Sequence, residues 1–316
     1  MLVVLLGPTG SGKTALSLAL AGRFQGEIVS CDSIAVYREL EIGSAKPSPA
    51  ERAQAPHHLI DVFGPDEWCT AGDYSRLGRA AIAEISGRQH LPIVTGGTGF
   101  YLRALLDGLF PGPPRSAELR ERLERSATNH PSGWLHRLLK RLDAAAAGRI
   151  HANDTPKLIR AIEVCLAARQ PITQAWQAGR DPLTGYRVLR IGLQPARKAL
   201  YDRIDARARA MFEHGLIEET RGIIEKYGDK LPTLDALGYR QAKQVLSSEQ
   251  SLNDAIAAAQ QGHRNYAKRQ LTWFRREPEV HWLSGFGDDP AIESAARQII
   301  QAASAASHST PEKPQE

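Results

Sequence analysis

The residues best suited to chemistry form a glycine-rich run near the start of the chain. Gly7-Pro8-Thr9-Gly10-Ser11-Gly12-Lys13-Thr14 has the spacing G-x-x-x-x-G-K-[ST] and stands between an apolar run and a helical pattern. Glycines let backbone amides turn inward around an anion, and the N-terminal end of the following helix adds positive potential. Lys13 supplies a point charge, and the Thr14 hydroxyl can hold Mg²⁺. The run therefore predicts a site for a di- or triphosphate with Mg²⁺.

A carboxylate is expected beside this loop. Asp32 follows the strand candidate 27–31, and the carboxyl ends of parallel strands open on the ligand crevice. There Asp32 could bind Mg²⁺ or accept a proton, or it could cap a turn with Ser33. The strand candidate 91–95 runs into Gly96-Gly97-Thr98-Gly99 without an acid, although ATP-hydrolysing enzymes and kinases often carry one after such a strand.

Short apolar or alternating runs predict the elements that hold these residues. The strand candidates are 2–6, 27–31, 91–95, 186–193 and 280–283, and helical patterns at 15–24 and 72–86 separate the first three. This alternation predicts an α/β fold, a P-loop NTPase-like parallel sheet flanked by helices.

A second part of the chain has helical patterns with no strand between them. These patterns cover 117–128, 133–142 and 154–168, after the Pro-rich run 111–114. We therefore predict a catalytic core formed by 1–114 and 183–303, an all-helical insertion domain at 115–182, and a disordered tail at 304–316.

Composition narrows the class of protein. The chain has 316 residues, 42% of them hydrophobic and 24% charged, which is typical of a globular protein. The net charge of +5 permits a polyanionic partner without requiring one. The three cysteines are widely separated, which argues against a disulfide framework or a zinc site. The apolar run Leu2–Leu6 is too short for a signal peptide or a membrane span, so we predict a cytoplasmic protein without membrane contact.

His57 and His58 could suggest a metal pair. Adjacent residues on a strand point to opposite faces, so we interpret them as structural residues or neighbours of the phosphate loop.

The phosphate loop is followed by further motifs in a specific order. They are Asp32-Ser33-Ile34-Ala35-Val36-Tyr37-Arg38, Ile42-Gly43-Ser44-Ala45-Lys46-Pro47, Pro56-His57-His58-Leu59-Ile60-Asp61, Thr70-Ala71-Gly72-Asp73-Tyr74, Pro92 to Tyr101, Arg149 to Asp154, Leu158 to Val164, Leu237-Gly238-Tyr239-Arg240 and Tyr266 to Arg275. From residue 2 to about 283, this series strongly resembles the tRNA dimethylallyltransferases.

The resemblance implies a reaction. Members of that family transfer a dimethylallyl group from dimethylallyl diphosphate to N6 of the adenosine 3′ of the anticodon (position 37), in tRNAs that read codons beginning with U. It implies that Gly7 to Thr14 hold the diphosphate, with Mg²⁺ on Thr14, and that no ATP is consumed. Asp32 would then be the general base, while Thr9 and Arg207 would reach the bridging oxygen. From the residues alone, Arg207 reads as a solvated charge on a helix.

The resemblance also implies the partners: the anticodon stem-loop of tRNA and a prenyl donor, bound by a monomer. The residues that match the family's tRNA-contact positions are Asp32, Ser33, Ile34, Ala35, Thr98, Arg120, Pro156, Lys157, Leu158, Ile159, Arg160, Asp235, Ala236, Leu237, Gly238, Tyr239 and Arg240. Ala35 stands where the family often has Gln, so one contact to the adenine is expected to be altered. The basic helix 264–276 suits phosphate contact or is an amphipathic surface helix, with Trp273 and Phe274 turned to the core.

Three other functions share parts of this pattern. A small-molecule kinase would use the same phosphate loop with ATP and an arginine-rich lid. A prenyltransferase acting on free AMP or ADP would need no large helical insertion. A nucleotide-binding regulator without chemistry would not require the carboxylate of Asp32.

Overall fold

The computed structural model describes residues 1–308, and the strands of these residues form a single parallel sheet. The strands are β1 (Leu2–Leu6), β2 (Gly26–Cys31), β3 (His57–His58), β4 (Leu91–Gly96), β5 (Val188–Leu193) and β6 (Val280–Leu283).

The strand order is β3-β2-β4-β1-β5-β6, and every neighbouring pair is parallel. Strand β1 is central, with Val4 opposite Val94 on one side and Arg190 on the other. All five of its residues are buried, as expected for a strand covered on both faces. The prediction of a parallel α/β sheet is confirmed, and the carboxyl ends of β1, β2 and β4 lie at one edge.

Helices connect and cover these strands. They are α1 (Lys13–Phe24), α2 (Pro49–Arg52), α3 (Ala71–Gly87), α4 (Gly99–Leu106), α5 (Ala117–Thr128), α6 (Trp134–Leu142), α7 (Ala144–Arg149), α8 (Thr155–Ala168), α9 (Ile172–Gln177), α10 (Arg197–Glu213), α11 (Leu216–Tyr227), α12 (Tyr239–Leu246), α13 (Leu252–Phe274) and α14 (Pro290–His308), with a 3₁₀ turn at Pro232–Asp235.

The described residues form two compact units, one made of Met1–Leu105 together with residues 184–308, the other of Leu106–Leu183. In the first unit, Val3 and Leu5 of β1 pack in one core with Leu16 of α1 and Ile300 of α14.

The second unit is helical and has its own core, which includes Leu139, Leu158 and Ile162. It begins at Leu106 rather than at the expected residue 115. The Pro-rich run belongs to it, because Arg160 Nη2 donates to the Pro113 carbonyl (3.1 Å) and Leu183 N–H donates to the Leu106 carbonyl (2.8 Å).

The C-terminal helix is longer than expected. We predicted a disordered tail from residue 304, but α14 continues to His308, so residues 304–308 are helical. The apolar positions Ala296, Ile300 and Ala303 face the sheet core and extend the helical spacing into this segment, which the polar composition concealed. The rest of the predicted tail, 309–316, lies outside the described residues. None of the helices within residues 1–308 is long and apolar enough to cross a membrane.

The two adjacent histidines lie on β3 and have separate partners. His57 Nδ1 lies 2.8 Å from the Ala55 carbonyl, whereas His58 Nε2 lies 2.7 Å from Glu27 Oε2. Glu27, on β2, is 3% exposed and also pairs with Arg88 (2.8 Å) and His90 (2.7 Å). Within residues 1–308, no group of three or more His, Cys, Asp or Glu side chains is placed to hold a metal ion.

We expect Glu27→Gln to destabilise the first unit in a pH-dependent way. The hydrogen bond from Arg88, with those from His58 and His90, lowers the pKa of Glu27 from 4.5 to about 2. The ionised carboxylate therefore stabilises the fold above pH 4.5, by about 3 kcal/mol, and this contribution is lost as the pH falls towards 2. Urea unfolding should show a lower free energy of unfolding for Glu27→Gln than for the wild type, and this difference should be smaller at pH 3 than at pH 7. The exposed Glu225→Gln is the control, and an equal deficit at both pH values would contradict the assignment.

Candidate active site

The glycine-rich loop connects the end of β1 to the start of α1, as predicted. Gly10 and Gly12 have φ values of 79° and 85°, in the left-handed region that glycine adopts most easily. At Gly12 there is also no room for a side chain, since a Cβ would lie 2.7 Å from the Gly287 nitrogen. The Gly287 amide donates to the Ser11 carbonyl (2.9 Å), so the loop 285–289 supports the phosphate loop from behind.

Lys13 lies at the bottom of this loop. Its ammonium group donates to the carbonyls of Gly7 (2.9 Å) and Pro8 (2.8 Å). Burial, together with the charge of Arg207, lowers the pKa of Lys13 to about 8. These two effects outweigh the nearby charge of Asp32, which acts in the opposite direction, so a bound anion would stabilise the charged form of Lys13.

Asp32 follows β2 directly, and it both caps a turn and lines a cavity. Its Oδ1 accepts hydrogen bonds from the amides of Ile34 (2.8 Å) and Ala35 (3.2 Å), so the turn-cap interpretation is confirmed. The same side chain also contributes to the wall of the cavity in front of the phosphate loop. Since the two backbone bonds both use Oδ1, the turn orients the carboxylate.

Thr9 is the point where three elements of the first unit converge. Its amide donates to Gln270 Oε1 of α13 (2.8 Å), and its hydroxyl accepts a hydrogen bond from Arg207 Nη2 of α10. Gln270 Nε2 in turn donates to the Gly97 carbonyl (2.9 Å), next to the end of β4. Burial lowers the pKa of Arg207. Arg207 is therefore an inward-facing group, and the alternative of a solvated helix charge is wrong.

Two cavities open on either side of this junction. The first, of about 300 Å³, is bounded by the phosphate loop and by Lys13, Arg203 and Arg207. The second, of about 290 Å³, is bounded by Ile34, Met211, residues 235–237 and His263. The residues that line both are Thr9, Asp32, Ser44, Ala45, Arg207 and Tyr266. A ligand in one cavity can therefore meet a ligand in the other at Thr9, Asp32 and Arg207.

The structure brings several predicted contact residues together at this site. Thr98 Oγ1 accepts a hydrogen bond from the Ser33 amide (3.0 Å), which joins the loops after β2 and β4. Asp235, Ala236 and Leu237 line the second cavity, whereas Ala35 lines the first.

Other predicted residues of the first unit do not line either cavity. Tyr239 is fully buried and donates from its hydroxyl to Glu219 Oε1 (2.6 Å). Gly238 precedes α12, with φ 92°, and Arg240 is exposed.

The predicted contacts in the second unit differ in accessibility. Leu158 and Ile159 are 1% and 2% exposed, so their side chains belong to its core, and the tRNA contact at these two positions stays a prediction. Both residues lie on the apolar face of α8, and this face packs against the other helices of the unit. Pro156 and Lys157 on the first turn are exposed.

Arg120 and Arg160 pair with one buried carboxylate. Glu163 is fully buried and lies 2.8 Å from each guanidinium, and its Oε1 also accepts from the Ser116 amide. The pKa of Glu163 is lowered: burial acts against this, but the hydrogen bonds from Arg120 and Arg160 outweigh it. Arg120 therefore holds α5 to α8, whereas Arg160 pairs with Glu163 within α8 and donates to the Pro113 carbonyl; sequence reasoning assigned neither role.

Sequence reasoning also missed three residues of α13: His263, Tyr266 and Gln270. All three contribute to the walls of the cavities. Their spacing of three and four residues places them on one helix face, which is the signal that could have indicated them. Phe274 is 1% exposed, as expected, and Trp273 stacks with Arg103 (4.3 Å from the guanidinium carbon to the ring centre).

Comparisons with known proteins match nearly the whole chain. The family model described as IPP transferase matches residues 35–277, and the one described as isopentenyl transferase matches residues 1–60. The tRNA dimethylallyltransferase of Koribacter versatilis (strain Ellin345) is 64% identical over 301 residues, which cover 95% of this chain and 98% of that protein. That of Solibacter usitatus (strain Ellin6076) is 52% identical, with coverages of 95% and 97%.

Solved structures also match nearly the whole chain. The full-length tRNA isopentenylpyrophosphate transferase of Bacillus halodurans is 35% identical, with a TM-score of 0.70, and the match covers 97% of this chain and 99% of that one. A eukaryotic dimethylallyltransferase acting on tRNA is 24% identical, with a TM-score of 0.81 and coverages of 99% and 81%, and thus shares the fold.

Proposed function

This chain belongs to the tRNA dimethylallyltransferase family of enzymes, and from this premise we propose the reaction that its two joined cavities carry out. The enzyme transfers a dimethylallyl group from dimethylallyl diphosphate to N6 of the adenosine at position 37 of tRNAs that read UNN codons. The observation that carries the proposal is the junction at which Thr9, Asp32 and Arg207 line both cavities.

The first cavity suits the diphosphate of the donor. The loop amides and the N-terminal end of α1 suit an anion, and Lys13 adds a buried cation whose charged form a bound anion would stabilise. Thr14 and Asp32 also line this cavity, and their oxygens are the type of ligand that Mg²⁺ prefers. These residues fit Mg²⁺, with Thr14 as its ligand from the chain, since Mg²⁺ bound to phosphates usually takes only one or two protein oxygens. When bound, Mg²⁺ neutralises charge on the diphosphate.

The second cavity suits the target base, which must leave its stack to reach the donor. In the transfer, a bond forms between N6 and C1 of the dimethylallyl group while the bond between C1 and the bridging oxygen breaks. Asp32 accepts the proton that N6 loses, which counteracts the weak nucleophilicity of the adenine amine. The diphosphate leaves with the electron pair, and Arg207 and the Thr9 hydroxyl, which already contact each other, donate to the developing negative charge.

We further propose that the partner is the anticodon stem-loop of tRNA and that the enzyme acts as a cytoplasmic monomer. The exposed Lys157 supports a phosphate contact at the start of α8 in the helical unit. The burial of Glu163 argues that Arg120 and Arg160 are first of all structural residues there.

A single assay tests the reaction. The protein and Mg²⁺ are incubated with unmodified tRNA and dimethylallyl diphosphate without ATP. The tRNA is then digested to nucleosides, and their masses are measured. We expect one five-carbon prenyl unit on adenosine 37, and none when AMP replaces the tRNA. Prenylation of AMP would overturn the macromolecular acceptor, and no product together with ATP turnover in a parallel tube would favour a kinase or NTPase.

The pH dependence of donor use should report Lys13. Because the pKa of Lys13 in the free enzyme is lowered to about 8, the residue is charged below that pH and neutral above it. We expect kcat/KM for the donor to be level near pH 7 and to fall about tenfold per pH unit above pH 8, since this parameter follows groups of the free enzyme. The check is a pH profile with both the donor and the tRNA well below saturation, so that the rate reports groups of the free enzyme. A level profile up to about pH 10, near the ordinary value for a lysine, would contradict the lowered pKa of Lys13.

A further inference from the structure

His263 on α13 is a buried polar residue without a hydrogen-bond partner on Nε2. The residue is 7% exposed and lines the second cavity, as do Asp32 and Arg207. Within residues 1–308, Nε2 has no hydrogen-bond partner. Buried polar atoms are nearly always paired, so an unpaired one beside a binding cavity indicates a partner that arrives with the ligand.

The other polar side chains at the junction already have partners. Asp32 Oδ1 accepts from two backbone amides, and Arg207 donates to Thr9. The Tyr266 hydroxyl donates to the Gly97 carbonyl (3.3 Å). Nε2 of His263 is thus a buried atom without a partner, whereas the atoms of Asp32, Arg207 and Tyr266 named above have one.

The charge state of His263 indicates which kind of ligand it can bind. Burial, with the nearby charge of Arg207, lowers the pKa of His263 to about 4, so the ring is neutral at physiological pH. A neutral imidazole has one nitrogen that donates and one that accepts, and a half-turn of the ring exchanges nitrogen and carbon positions without changing its shape. Such a group matches a neutral heterocycle with donors and acceptors on its edge. The first cavity, with Lys13, Arg203 and Arg207, instead matches the diphosphate.

We propose that His263 hydrogen-bonds the edge of the target nucleobase in the second cavity and contributes to the selection of that base. This inference rests on the proposed function, because it assigns the second cavity to the tRNA acceptor. Asp32 would hold the base at its amino group, and His263 would contact it from the α13 side. His263 thus acts in acceptor binding, while proton transfer remains with Asp32.

A binding cycle tests this contact. The Kd for an anticodon stem-loop is measured with the target adenosine present and with an abasic site in its place, for the wild type, His263→Leu and His263→Gln. Leu is similar in size but has no polar atom, whereas Gln keeps a neutral donor and acceptor. We expect His263→Leu to weaken binding of the adenosine stem-loop by about tenfold, as for the loss of one hydrogen bond. It should not change binding of the abasic stem-loop, and His263→Gln should recover part of the loss.

Each other outcome overturns the inference. An equal loss on both stem-loops would mean that His263 acts through the ribose, the backbone or the fold, and no loss on either would mean that it makes no contact. The exposed His281→Leu is the matched control and should bind like the wild type. Failure of the proposed function is distinguishable, because the wild type would then bind both stem-loops equally well and would not prenylate the adenosine.

Discussion

Asp32→Asn should lower the rate of prenyl transfer by about 10²–10⁴-fold, the usual contribution of a positioned general base. The amide cannot take the proton from N6, whereas the donor and the tRNA still bind. Single-turnover kinetics with saturating tRNA and donor would measure this rate separately from binding.

The choice of Asn follows from the turn after β2. Asp32 Oδ1 accepts from the amides of Ile34 and Ala35, and the carbonyl oxygen of Asn can accept the same bonds. Asp32→Ala would remove these bonds and disturb the turn, so that a loss of activity would have two causes. If Asp32→Asn turned over at the wild-type rate, the proton would have to leave N6 by another route and Asp32 would not be the base.

Arg207→Met should lower the turnover rate by about 10²–10³-fold, the loss typical of removing one donor to a developing negative charge. Arg207 reaches the junction from α10 and donates to the Thr9 hydroxyl, so both groups would act on the same bridging oxygen. Thr9→Val should also slow the reaction, and the double variant should lose less than the sum of the two single losses in free energy because the groups act as a unit.

The control for Arg207→Met lies on the same helix. Arg209 is exposed on α10, and Arg209→Met removes the same charge from the helix without touching either cavity. We expect its turnover to equal that of the wild type. Equal losses in the two arginine variants would point to the net charge of α10, rather than to a contact at the junction, as the cause.

The local chemistry of the site could be predicted because it depends on residues that are close in the chain. The phosphate loop, Lys13 and Thr14 occupy one strand–turn–helix unit, and the strand 2–6 has the predicted bounds. Asp32 could be predicted for a similar reason, since parallel strands end at one edge of a sheet. The turn-cap and cavity interpretations of Asp32 were alternatives in the sequence, and the structure combines them.

Longer-range features could not be predicted in this way. The pairing of Glu163 with Arg120 joins residues 43 positions apart, and no periodic pattern indicates which charges will pair across a helical core. The start of the helical unit at Leu106 also involves residues far apart in the chain, since the Leu183 amide donates to the Leu106 carbonyl.

The sequence by itself determined the anion-binding loop, the carboxylate beside it, the parallel α/β class and, through the order of its motifs, the family. Only the tertiary structure decided which side chains meet at the junction of the two cavities. Gln270 reaches Thr9 across 261 positions of the chain, and Arg207 reaches it across 198. These contacts depend on how α10 and α13 pack against each other, and such packing is set by side-chain shape in three dimensions rather than by local spacing.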